Sequence, residues 1–256
     1  MSRLAIHDTG EGPALLLLHA YPLDASQWDA QVAALSDRYR CLRPDFWGCG
    51  TSSAPPPDVT IDGYARDVLA ELDERGVEEV AVCGSSMGGY VAFALLRAAP
   101  ERLRAVVLAA TRVGADTDVT HAERARLAEQ VGAAGVEVIV EPMTRSLLCD
   151  HCRDEVHIAD PVRGRIRRWT TEGVRSVLAA MAGRLDSSAV LADLAVPVLV
   201  VCGTEDAIVP LEESRALAAA IGGAELVELE GTGHLPNLER PQEFSACVGQ
   251  FLDARK

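Results

Sequence analysis

The chain has 256 residues, 48% of them hydrophobic and 24% charged, enough to bury a full core as one large α/β unit or as two modest domains. Acidic residues outnumber basic ones by 38 to 24, a formal charge of −14, which argues against a nucleic-acid surface and against binding to anionic lipid, since both need clustered Lys and Arg. A soluble globular protein acting on small neutral molecules is expected.

The opening MSRLAIHDTG lacks the basic start and apolar stretch of a secretory signal, and no later apolar run approaches the ~18 residues of a membrane span. A cytoplasmic protein is the expectation. The first short apolar run, ALLLLH at 14–19, is followed by a helical pattern at 26–35 and by a second run, CLRPD, at 41–45. SSAPPPD at 52–58 is a stiff loop whose prolines exclude regular structure. A helix at 61–75 leads to VAVCG at 80–84, and a helix at 87–98 leads to AVVLAA at 105–110. Apolar runs of this length without alternation mark strands buried on both faces.

From 111 to 190 that rhythm stops. The stretch holds HAERARLAEQVG, VEVIVEPMTRSLL and TEGVRSVLAAMAG, all helical in pattern, although VEVIV by itself also fits a short strand. PVLVVCG at 197–203 resumes the strand pattern. A helix at 211–221, AELVELE at 224–230 and a last helix at 241–252, opened by Pro241 at a first-turn position, complete the chain. The segment therefore interrupts one α/β unit, with core at 1–110, helical cap at 111–190 and core again at 191–256. Strands and helices in alternation give an α/β class with a doubly wound, mostly parallel sheet.

One stretch carries chemistry. Gly84-Ser85-Ser86-Met87-Gly88 satisfies G-x-S-x-G with Ser86 at its centre, between a strand and a helix, where a sharp turn exposes the central serine as a nucleophile. Small residues on either side let the backbone fold tightly, and the helix N-terminus favours developing negative charge. Ser85 points elsewhere. The glycines do not have the G-x-G-x-x-G spacing of a dinucleotide site. A serine hydroxyl needs a base, and of six histidines His234 has the fitting context, a Gly-flanked loop between the last strand and the last helix. Asp206, after PVLVVCG, is the carboxylate expected to orient it, with Glu205 as the competing acid. The order Ser86, Asp206, His234 is the one such an elbow requires. The backbone N–H groups expected to hold an oxyanion are those of Met87, directly after the nucleophile, and Tyr21, in the loop His19-Ala20-Tyr21-Pro22. His19 reads as a brace of that loop and not as the base.

Together, HAYPLDASQW, RPDFWGCGTS, GSSMGG, GTEDAIVP and GTGHLPNLERPQEF resemble the α/β-hydrolase superfamily across nearly the whole chain. ATRVGADT, MAGRLDSS and HLPNLERP are similar to the branch of 3-oxoadipate enol-lactonase-like proteins and cofactor-free haloperoxidase-like esterases. The resemblance implies the α/β-hydrolase fold and a serine hydrolase of small carboxylic esters or lactones, working without metal or organic cofactor. Ala20 stands where members usually carry Gly, and Ser85 where they often carry His; neither departure removes a triad member. Other readings with the same triad are a C–C bond hydrolase or a cofactor-free perhydrolase. One of another class is a ligand-binding protein that kept the fold without turnover. A haloalkane dehalogenase is disfavoured, because it needs a carboxylate where Ser86 stands.

Seven cysteines, an odd number spread from Cys41 to Cys247, form no disulfide framework, and Cys83, Cys202 and Cys247 sit in apolar contexts. CDHCRDEVH gathers Cys149, His151, Cys152 and His157. C-x-x-C is a zinc-ligand spacing, but without a second well-spaced pair no metal is expected there. VRGRIRRW at 162–169 reads as a solvated basic face of the cap, with at most one arginine meeting a substrate carboxylate. Aromatic residues make up only 4% of the chain and the insertion is punctuated by Arg and Glu, so a small enclosed pocket is expected, narrowed on its acyl side by Ala20.

Overall fold

Successive side chains of a strand face opposite sides of a sheet, so a strand covered by helices on both sides must be apolar at every position. The computed structural model, which describes residues 4–192 and 194–255, shows this directly. In β2, Ala14–Leu18, the side chains of Leu15 and Leu17 enter one core layer and those of Leu16 and Leu18 the other. β3 (Arg40–Asp45), β4 (Val80–Ser85), β5 (Leu103–Ala109), β6 (Val198–Gly203) and β7 (Glu225–Leu229) follow the expected runs closely. One strand was not foreseen. β1, Ala5–Thr9, runs antiparallel to β3 at the sheet edge, and its half-exposed residues carry no apolar run to announce it. Residues 1–3, part of the stretch read as non-secretory, lie outside the described residues.

The strand order is β1-β3-β2-β4-β5-β6-β7, parallel from β3 to β7. The helices are α1 (Asp29–Leu35), α2 (Ile61–Glu74), α3 (Met87–Ala98), four helices between β5 and β6, then α8 (Leu211–Ala220), the short α9 (Pro236–Glu239) and α10 (Pro241–Asp253). Val32 and Leu35 of α1 and Phe244, Val248 and Phe251 of α10 fill one layer with Trp28. Residues of α2, α3 and α8 fill the other. The chain leaves β2 towards β3 on one side and returns to β4 on the other. A doubly wound sheet opens its ligand crevice at such a switch point, beyond the carboxyl ends of the strands.

Between β5 and β6 lie α4 (Asp118–Ala134), α5 (Glu137–Leu147), α6 (Val156–Ile166) and α7 (Thr171–Ala182). VEVIV belongs to α5 and is no strand: Ile139, Val140, Thr144 and Leu147 are buried together at helical spacing. α4 packs on α5 and α7, and α5 on α6. Among the described residues no helix is long and apolar enough to cross a membrane. The seven cysteines are all free.

Candidate active site

β4 ends at Ser85 and α3 begins at Met87, so Ser86 alone makes the turn between them. Its backbone sits at φ 52° and ψ −111°, a left-handed conformation that strains a serine and persists only when the surroundings impose it. They do so here. Ser86 N–H donates to Ala109 O at 2.9 Å, and Thr111 Oγ1 donates to Ser86 O at 2.8 Å. A Cβ on Gly84 would lie 2.4 Å from Gly88 O, and one on Gly88 would lie 2.1 Å from Leu18 O, so the elbow closes only with glycine at both positions. Thr111 has no motif to mark it in the sequence.

The three polar residues expected around this turn converge. Ser86 Oγ is 2.8 Å from His234 Nε2, and His234 Nδ1 is 2.8 Å from Asp206 Oδ2. The other Asp206 oxygen accepts the N–H groups of Ile208 and Val209 at 2.8 and 2.9 Å. A carboxylate held this way accepts the hydrogen bond from Nδ1–H, which keeps the proton on Nδ1 and leaves the Nε2 lone pair facing the serine hydroxyl. Glu205 is exposed and outside this relay. Ser85 is fully buried, and its Oγ has no hydrogen-bond partner among the described residues.

The N–H groups of Tyr21 and Met87 have no acceptor among the described residues, as an oxyanion site requires. His19 braces the loop before Tyr21: its Nε2 accepts Phe46 N–H at 3.1 Å, which leaves Nδ1 to donate to Ala20 O at 2.9 Å. Burial lowers its pKa and keeps the ring neutral in this role. A second brace was not foreseen. Ala20 N–H donates to Gln27 Oε1 at 2.8 Å, Gln27 Nε2 donates to Asn237 Oδ1 at 3.1 Å, and Gln31 Nε2 donates to Asn237 O at 3.1 Å. These buried amides tie the loop after β2 to α9, directly after His234. Only the helical spacing of Gln27 and Gln31 hints at them in the sequence.

A cavity of about 390 Å³ opens above Ser86 and His234, walled by Tyr21, Leu127, Met143, Leu178 and Met181. Its cations are Arg112, Arg124 and Arg126, none from the basic run at 162–169. Arg124 is paired with Asp116 at 2.5 Å and Arg112 with Glu213 at 3.1 Å. The basic run is a solvated face only in part. Arg163 and Arg167 pair at the surface with Glu141 and Glu137. Arg165 instead donates to Ser26 O at 2.9 Å, Arg168 meets Asp24 at 2.6 Å, and Trp169 Nε1 donates to Leu23 O at 2.8 Å. These three fasten the helical segment to the loop that carries Tyr21. Of the four residues in CDHCRDEVH, Cys149, His151 and Cys152 come together. His157 does not join them, and its ring lies 3.6 Å from Glu155.

The profile of the Alpha/beta hydrolase family matches residues 15–246. A thermophilic esterase from Thermogutta terrifontis superimposes with a TM-score of 0.95 at 36% identity, over 98% of this chain and 93% of the other. The enol-lactonase from Burkholderia xenovorans LB400 does so with a TM-score of 0.91 at 29% identity, over 98% and 96%. In sequence, 3-oxoadipate enol-lactonase 2 of Acinetobacter baylyi is 29% identical over 92% of this chain and 87% of its own. The match runs from β2 into α10 and takes in the elbow and the loops that face it, so this chain belongs to the alpha/beta hydrolase family and is a hydrolase.

Proposed function

We propose that the chain hydrolyses small carboxylic esters or lactones through an acyl-enzyme on Ser86, with residues 111–190 as the cap over the site. The carrying observation is the continuous relay from Asp206 through His234 to Ser86, 2.8 Å at each link, on the floor of the cavity. As Ser86 Oγ attacks the carbonyl carbon, its proton passes to His234 Nε2, and Asp206 holds the imidazolium that forms. The carbonyl oxygen becomes an oxyanion facing the Tyr21 and Met87 N–H groups, beside the positive end of α3. Collapse breaks the bond to the alkoxide, which takes the proton from His234. Water then repeats the sequence on the acyl group and restores Ser86.

The likeness to an esterase and to enol-lactonases supports this substrate class. The cavity favours small substrates, and its inner arginines Arg112 and Arg124 are already paired within the protein, which supports uncharged acyl groups. The test is a panel of short esters and lactones run beside fluorophosphonate labelling of Ser86. Turnover of several members, abolished in step with labelling, is the expected result. Stoichiometric labelling without turnover of any ester or lactone would make the chain a binding protein of the same fold.

A further inference from the structure

α5 ends at Leu147 and a short 3-10 turn begins at Cys152, leaving a tight loop, Cys149-Asp150-His151-Cys152, that the chemistry at Ser86 does not use. Both cysteines are buried, each 2% exposed. His151 is exposed, yet its ring lies against the two sulfurs. Its Nε2 is 3.8 Å from Cys149 Sγ and 3.4 Å from Cys152 Sγ. One ligand atom from each of the three residues lies within 4.8 Å of the other two. In a tetrahedral zinc site, with Zn–S about 2.3 Å and Zn–N about 2.0–2.1 Å, the sulfur-to-nitrogen edge is about 3.5 Å. The two separations bracket that value.

We propose that Cys149, Cys152 and His151 Nε2 form a binding site for a thiophilic divalent metal ion, zinc by the chemistry of its donors, with the fourth position facing solvent. Two sulfurs and an imidazole select zinc over magnesium or calcium, which take oxygen ligands. Binding releases both thiol protons to solvent, and the ion offsets the two thiolate charges. The C-x-x-C spacing by itself, without a second well-spaced pair, led to the expectation of no metal here. The fold supplies support of another kind. Cys149 N–H donates to Glu239 Oε2 at 3.0 Å, and the same carboxylate accepts Gly233 N–H at 3.0 Å and Leu235 N–H at 3.2 Å. A Cβ on Gly233 would fall 2.5 Å from Cys149 N. The metal loop and the loop of His234 are thus pinned to one buried carboxylate, and loading one stiffens the other.

The experiment titrates reduced, chelator-treated protein with cobalt(II) and then with zinc. One equivalent of cobalt per chain should bind and give a strong thiolate-to-metal charge-transfer band in the near ultraviolet, which zinc then bleaches. Zinc should also shield two thiols from a disulfide exchange reagent. His151→Ala, at an exposed position, should weaken cobalt binding at least about tenfold, the loss expected of even an outer partner. His157→Ala should stay within about twofold, as its ring meets Glu155 instead. No stoichiometric uptake by the wild type, unchanged uptake in His151→Ala, or a Cys149–Cys152 disulfide in place of metal would overturn the proposal. None of these readouts depends on ester turnover.

Discussion

Ser85 and Ser86 are neighbours in the chain and opposites in environment. Ser86 Oγ meets His234 at 2.8 Å, whereas Ser85 Oγ is buried without a partner among the described residues. Ser86→Ala should lower kcat on any accepted ester by roughly 10⁴ or more, because triad members act as a unit. Ser85→Ala should change kcat by less than about tenfold and leave the melting temperature level or higher, since it removes a buried hydroxyl that bonds to nothing. Equal losses in the two variants would undo the assignment. Asp206→Asn should cost about 10³–10⁴ in kcat through loss of the His234 tautomer. Glu205→Gln, at an exposed position, should stay within about threefold; the reverse order would hand the acid role to Glu205. The sequence named both acids and preferred Asp206, but only the loop geometry shows which carboxylate faces the imidazole.

Between elements, two buried polar ties hold the site's loops and its helical cover. The first is the Gln27–Asn237 amide pair, with Gln31 beside it, between the loop of Tyr21 and α9. Asn237→Ala removes the acceptor of Gln27 Nε2 and the Nδ2 donor that Gln31 Oε1 accepts at 3.3 Å, leaving two buried amides short of a partner. It should lower stability by about 1–3 kcal/mol and kcat by about tenfold or more, since small misplacements of catalytic loops are expensive; unchanged kcat would show that the loops keep register without it. The second tie is Asp116, which pairs with Arg124 of α4 and with Arg184 after α7. Burial works against its ionisation, but the hydrogen bonds and charges of Arg124 and Arg184 prevail and hold its carboxyl below the usual range. A depressed carboxylate pKa stabilises the fold fully above the unfolded value near 4, and that contribution disappears as pH falls through the folded one. Asp116→Asn should therefore melt below the wild type at about pH 7 by an amount near 3 kcal/mol, the usual penalty for a broken buried pair. The gap should begin to narrow at about pH 4 and close only once the pH is below the depressed folded pKa. A gap independent of pH would mean that charge is not what joins the two helices.

At the scale of the whole molecule, the cavity of about 390 Å³ lies between the sheet's carboxyl edge and the helices α4, α5 and α7. Each methylene a pocket accepts or rejects changes transition-state binding by about 1–3 kcal/mol. For p-nitrophenyl esters kcat/KM should therefore peak from acetate to butyrate and decline steadily with chain length, without activation by an emulsion. A maximum at decanoate would reveal an extended apolar channel under the helices. Much of this architecture was readable beforehand, for a local reason: unbroken apolar runs such as ALLLL suit only a strand covered on both faces, and G-x-S-x-G marks a turn whose closure forbids a Cβ at Gly84 and Gly88. The order Ser86, Asp206, His234 followed from the same local signals. What tertiary structure alone decided are matters of which distant surfaces meet. The edge strand β1 exists because β3 offers it a partner, and VEVIV is helical because α4 and α6 cover its buried face. Arg165, Arg168 and Trp169 clamp the Tyr21 loop while Arg112 and Arg124 enter the cavity wall, and Asn237 reaches back to Gln27. Pairings of this kind join residues too far apart along the chain for any local pattern to signal them, and they form only once the sheet has brought its loops to one edge.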